Sequence, residues 1–158
     1  MDLVGFEFNE NARMKGFASF KPIVTAKGGV MKVAFNELSV PQHFSFPLKS
    51  FRCVVTVSLS VFSLTEDLML SHAKNESFEL NKHTKVVPAQ TFNFDVPPGC
   101  LSLIRMALEF FVVAKSGWKA VTDAKANPSV ICGALYTSGV FKKGTFANWT
   151  SQKNFKMA

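Results

Sequence analysis

Three histidines, three cysteines and one adjacent acid pair are the side chains from which this 158-residue chain would have to build catalysis. His43, His72 and His83 lie far apart, each in a polar or turn-like context. A Cys–His dyad needs a spatial adjacency that spacing alone does not show, so each histidine reads as an ordinary surface or core residue. Glu66-Asp67 is the adjacent acid pair. After Thr65, an apt N-cap, it is better explained as charge in the first turn of a helix. Glycine-rich phosphate loops, HExxH and GxSxG are all missing. The expectation is a protein that is not an enzyme and holds no cofactor or metal. Cys53, Cys100 and Cys132 are odd in number and form no CxxC pair, against both a disulfide framework and a zinc site. They are expected as free thiols.

Charge carries a second kind of chemistry. The net charge is +7, and residues 115–158 hold seven lysines against one acid, Asp123. These are Lys115, Lys119, Lys125, Lys142, Lys143, Lys153 and Lys156, and they are the candidate nucleic-acid-binding residues. The first 114 residues are nearly balanced, with 11 basic and 10 acidic groups. A one-sided positive surface attracts phosphate backbones and releases their counterions. Aromatic residues interleave with these lysines at Trp118-Lys119, Phe141-Lys142-Lys143, Phe146, Trp149 and Phe155-Lys156. Rings in such a setting can stack on unpaired bases while lysines neutralise phosphate. A plainer reading is a solvated basic edge, since core rings flanked by surface lysines give the same pattern. No RNP, KH or zinc-knuckle pattern is present, so the expected contact is with RNA backbone, not with a sequence.

The elements that must position these residues are mostly strands. Over residues 51–64, Val55, Val57, Leu59 and Val61 fall on one face, and Thr56, Ser58 and Ser60 on the other. A period of two with β-branched residues predicts a long strand with one buried face. Residues 21–26 and 30–35 flank Lys27-Gly28-Gly29 and predict a hairpin, with Met31, Val33 and Phe35 on one face. Pro41 and Pro47 mark a loop or edge strand. Thr65-Glu66-Asp67 predicts a short helix to about residue 73. Phe78 and Leu80 predict a short strand, and residues 91–96 a cleaner one that ends at Pro97-Pro98-Gly99. Residues 101–115 fit either a strand or a helix; Phe110-Phe111-Val112-Val113 and the β surroundings favour the strand. A turn region is expected over 116–128, strands over 129–136 and 139–141, and a turn at Lys142-Lys143-Gly144.

The expected fold class is therefore all-β: a two-sheet antiparallel sandwich, jelly-roll type favoured, with at most one or two short helices. Residues 1–19 read as an N-terminal arm or edge strand, 20–150 as one β-sandwich domain, and 151–158 as a basic tail. Hydrophobic residues make up 47%, and 17 are Phe. That excess is either a Phe-rich core or apolar surface buried against further copies of the chain. The start shows no apolar signal segment, and the apolar run from 100 to 114 is too short and too charged to span a bilayer. A reducing, intracellular setting is expected.

The size, the strand count, a helix after an early strand and the turn Val96-Pro97-Pro98-Gly99 resemble small plant-virus coat proteins of the jelly-roll kind, over residues 20–150. The resemblance implies a structural protein that self-assembles and packages or coats RNA, in the host cytoplasm or in the virion. It departs from that class at the N-terminus, where only Arg13 and Lys15 stand in place of an Arg-rich arm. The lysine-rich C-terminal third would then carry the RNA contact. Viral movement proteins resemble this class too. The alternative function is thus a non-enzymatic RNA-binding protein for movement or silencing suppression.

Overall fold

The alternation in the central stretch becomes a 12-residue strand, Arg52–Ser63, in the computed structural model. Val55, Val57, Leu59 and Val61 on its inner face are all fully buried. The structure describes residues 2–143, 146 and 148–152. In chain order the strands are β1 (Ile23–Lys27), β2 (Val30–Phe35), β3 (Leu38–Ser39), β4 (Arg52–Ser63), β5 (Leu68–Asn81), β6 (Val86–Val87), β7 (Gln90–Asp95), β8 (Cys100–Ala114), β9 (Gly117–Ala120), β10 (Ser129–Thr137) and β11 (Thr150–Ser151). A 3-10 turn spans Met14–Gly16, and the short α-helix α1 (Val40–His43) has Pro41 in its first turn, where a missing N–H costs nothing.

Every strand pair is antiparallel. The larger sheet has the order β10-β8-β4-β5-β11, and β9 joins β8 beyond the end of β10. The smaller sheet is β1-β2-β7, and β3 pairs with β6. The pairings β4 with β5, β3 with β6 and β2 with β7 are nested, each enclosing the one before. A single hydrophobic core lies between the sheets. Met31, Val33, Phe35 and Phe94 of the small sheet meet the inner residues of β4 and β8, among them Ile104, Met106, Leu108 and Phe110. Where β10 passes closest to the small sheet it carries Gly133. A Cβ there would sit 2.8 Å from Val24 Cγ1.

The ambiguous segment is a strand along its whole length, and the glycine hairpin forms as β1 and β2. Other expectations are corrected. The helix expected from Thr65 to about residue 73 does not form. Thr65, Glu66 and Asp67 lie in the turn of the β4–β5 hairpin, where the Glu66 N–H donates to Ser63 Oγ and Asp67 adopts a φ of 52°. Acids and hydroxyls serve a tight turn as well as a helix start. Pairing with β4 then takes the following residues into β5, so the short strand at Phe78 and Leu80 is the end of a 14-residue one. The expected turn region over 116–128 contains β9, because the turn at Lys115-Ser116 folds the chain back onto β8. Residues 139–141 are not a strand. They pack against the turn at Gly99, where a Cβ would lie 2.7 Å from the Phe141 backbone nitrogen. Of the turn expected at Lys142-Lys143-Gly144, the last residue lies outside the described ones.

The N-terminal arm is tied to the larger sheet. Gly5 N–H donates to the Ile131 carbonyl, Ile131 N–H to Phe6 and Phe8 N–H to Ser129, so residues 5–8 extend the sheet beyond β10. Asn9 adds a side-chain bond from Nδ2 to the Ala124 carbonyl. The Phe excess is spent mainly inside: among the described phenylalanines only Phe6 and Phe8 are exposed. The three cysteines are free thiols. Burial pushes the thiols of Cys53 and Cys132 up to about 12, and raises that of Cys100.

Candidate nucleic-acid interface

The strand register decides where the lysines go. Lys115 lies in the turn just past the end of β8, and Lys119 on β9 pairs with Val112. Lys142 and Lys143 follow the segment docked on Gly99, at the start of β8. A 15-residue strand separates the two pairs, roughly 46 Å at about 3.3 Å per residue. Lys125 stands apart from both, in the loop between β9 and β10, where its N–H donates to Asp123 Oδ1. All five are exposed. Lys153 and Lys156 lie outside the described residues. The structure therefore does not gather the C-terminal lysines into one patch.

The aromatic residues divide in the same way. Phe141 and Trp149 pack edge to face at 5.2 Å and lean on the core, so they are spent on packing. Trp118 is different: it is 49% exposed, at the far end of the sheet. One side of its indole stacks on Phe51, with centroids 5.8 Å apart and planes 19° from parallel. Phe51 meets His83 edge to face at 5.0 Å. The Arg52 guanidinium lies 5.1 Å from the Phe111 ring centroid and 5.8 Å from that of Trp118, and its other partner is the Glu79 carboxylate.

Local sequence explains why this corner forms. Arg52 and Phe111 are register partners across β4 and β8 and point out of the sheet. Trp118 faces Val113 across β8 and β9, on the same outer side. The Lys82 N–H donates to the Phe51 carbonyl, which brings the end of β5 and its exposed Lys82 and His83 to the same place. Arg52, Glu79, Asn81, Thr84 and Trp118 line an open groove of about 340 Å³. Arg52 is held by a carboxylate and two rings, so it braces the indole and needs no reordering when a ligand arrives. The ring can stack a base. Lys115, exposed in the turn between β8 and β9, can meet phosphate; Lys82 stands over the Phe46 ring at 5.8 Å, and Lys119, paired with Val112, projects from the opposite face of β9 to Trp118.

Of the expected binding residues, Lys115 and Lys119 lie at this end of the sheet, Lys119 on the opposite face of β9 to Trp118. Phe51, Arg52, Lys82 and His83 were not among the expectations. The signal for them is the ring-and-base pair Phe51-Arg52 at the start of the central strand, which gains meaning only once β9 is known to fold back beside it. The histidines are scattered: His43 in α1 binds Ser39 backbone through Nδ1, His72 sits at an irregularity in β5, and His83 follows β5. Among the described residues no three His, Cys, Asp or Glu side chains are grouped as a metal site requires. Among them, too, no helix is long and apolar enough to cross a membrane. No protein-family model, curated protein or solved structure matches the chain.

Proposed function

We propose that the protein is a non-enzymatic structural protein of viral coat type, which associates with its own copies and holds single-stranded RNA. The observation that carries the RNA half is the braced, half-exposed Trp118. A half-exposed ring braced by Phe51 and Arg52, with the exposed Lys115 in the adjoining turn, suits stacking on a base beside a phosphate contact, as single-strand binders do. Such contact tolerates any base. Support for association comes from apolar side chains left in water: Phe6, Phe8, Val113 and Tyr136 are all more than half exposed. The nested strand pairing supports the jelly-roll version of the sandwich, since a jelly roll is a long hairpin wound on itself. The helix after the central strand no longer counts toward the coat resemblance. Host cytoplasm or virion is the setting that this reading implies.

A movement or silencing-suppressor role uses the same RNA chemistry without a shell, and particle size separates the two. The experiment is light scattering with absorbance at 260 and 280 nm across a salt series, with and without added single-stranded RNA. The proposal expects RNA-dependent assemblies that weaken as salt rises. A monomer that ignores RNA at low salt would remove it.

A further inference from the structure

Along β8 from the Trp118 corner the larger sheet holds a cleft of about 370 Å³, lined by Leu108, Val121 and Pro128 as well as by polar side chains. It opens where the partner of β8 changes. β10 covers β8 as far as Ala107, β9 covers it from Phe111, and the residues between have no strand on that side. Arg105 stands at one end, Glu109 at the other, and Asn127 and Ser129 stand along the side. The Ala107 methyl is the floor between Arg105 and Glu109, and Ala120, opposite Phe111, lies past Glu109. Arg105, Ala107 and Glu109 alternate along β8, so all three face outward, and the two charged residues are about 13 Å apart at Cα.

Several polar atoms of these side chains lack a hydrogen-bond partner. The Arg105 side chain makes no hydrogen bond or ion pair among the described residues, and its guanidinium stands over the Phe8 ring, 5.6 Å from the centroid. Arg105 Nε, Asn127 Oδ1 and Ser129 Oγ are all shielded from solvent without a hydrogen-bond partner. The orientation of Asn127 is fixed, because its Nδ2 donates to the Val121 carbonyl at 3.0 Å and leaves Oδ1 as the unmet acceptor. Glu109 is exposed and has no ion-pair partner among the described residues. Shielded polar groups without partners are costly, and a cleft lined by several of them favours a ligand that supplies their complements.

We infer that this cleft seats a guanine base, with the Arg105 guanidinium donating to O6 and N7 and the Glu109 carboxylate accepting from N1–H and the 2-amino group. Guanine is flat, as the floor requires, and carries acceptors on one edge and adjacent donors on another, as the two ends require. Adenine turns a donor toward Arg105 and brings no 2-amino group to Glu109. Pyrimidines are too short to reach both ends. Trp118 lies opposite Val113, six residues or about 20 Å along β8 from Ala107, so one RNA strand that stacks a base on the indole reaches the cleft with intervening nucleotides between. The RNA form of this inference rests on the single-strand reading above and adds a base preference to it. A free guanine nucleotide would use the same contacts.

The test is calorimetric titration of the intact protein with guanosine, adenosine, cytidine and uridine 5′-monophosphates, and with guanine-containing and guanine-free single-stranded RNA of equal length. The expected result is about tenfold tighter binding of the guanosine nucleotide than of the adenosine one, and of the guanine-containing RNA. Glu109→Gln, at an exposed position, should abolish that preference with an unchanged melting temperature; Ala107→Leu, which fills the floor, should do the same. Equal affinities for the nucleotides, or a preference that survives Glu109→Gln, overturns the inference. If both RNAs bind equally well, the base site falls and the single-strand reading stands. Should the guanosine nucleotide bind while neither RNA does, the base site stands and the single-strand reading falls.

Discussion

The two faces of the larger sheet are made from the same strands and have opposite chemistry. On the inner face, Cys53, Val55, Val57, Leu59 and Val61 of β4 lie against Ile104, Met106, Leu108 and Phe110 of β8, nearly all without solvent exposure. On the outer face the same two strands present Arg52 and Thr56, and Arg105, Glu109 and Phe111. One residue of shift separates a closed core from a surface of rings, charges and unpaired polar groups. The inner face stabilises the sheet, and the outer face, with the sheet's rigidity behind it, is free to hold a ligand.

The largest expected effect breaks the inner face. Val57→Asp places an unpaired charge in a fully buried position and should cost about 4 kcal/mol or more, enough to unfold a marginal domain. Thr56→Asp, its outward neighbour, should cost under about 1 kcal/mol. Thermal melts of the two variants check the contrast, and equal losses would mean that the faces are misassigned. Next in size is Gly99→Ala. This glycine has a φ of 69° and no room for a Cβ beside the Phe141 backbone, so the variant should lose about 2 kcal/mol and loosen the segment that follows β10.

A smaller effect comes from the thiols of the interior. Those of Cys53 and Cys132 are held up to about 12 by burial, so the folded state disfavours thiolate there. Their contribution to stability is complete below the ordinary thiol value near 9 and is lost as the pH rises from there toward 12. Stability should fall across that window, and Cys53→Ala should make the fall shallower. Thiol titration of the native protein at pH 8 should find Cys53 unreactive, whereas denaturant without reductant should expose all three cysteines.

Which parts could be read from the sequence follows from the same contrast. The inner face of β4 was legible because Val55 to Val61 alternate over a length that no helix shares, and β8 was legible through its run of Phe and Val. The turn after β4 was not, because Thr65-Glu66-Asp67 suits a helix start and a tight turn alike, and only the register with β4 chooses. The outer-face site was hidden for a related reason. Lys115, Lys119, Lys142 and Lys143 are close in sequence, but β8 and its partners carry the two pairs to opposite ends of the sheet. Phe51-Arg52 and Trp118 are far apart in sequence, and pairing of β4, β8 and β9 brings them together. Charge counted along the chain gives the sign of a surface and not its place.

The most direct test of the outer-face account is the affinity of a fluorescently labelled single-stranded RNA for the protein and for Trp118→Ala, measured by anisotropy at several salt concentrations. Loss of the braced ring should cost about 1–3 kcal/mol of binding per stacked base. The salt slope should be unchanged, because the substitution removes no lysine or arginine. The melting temperature should hold near that of the parent, since half of the indole is already in water. Equal affinity in the two proteins, with folding intact, would contradict the assignment of RNA binding to this corner.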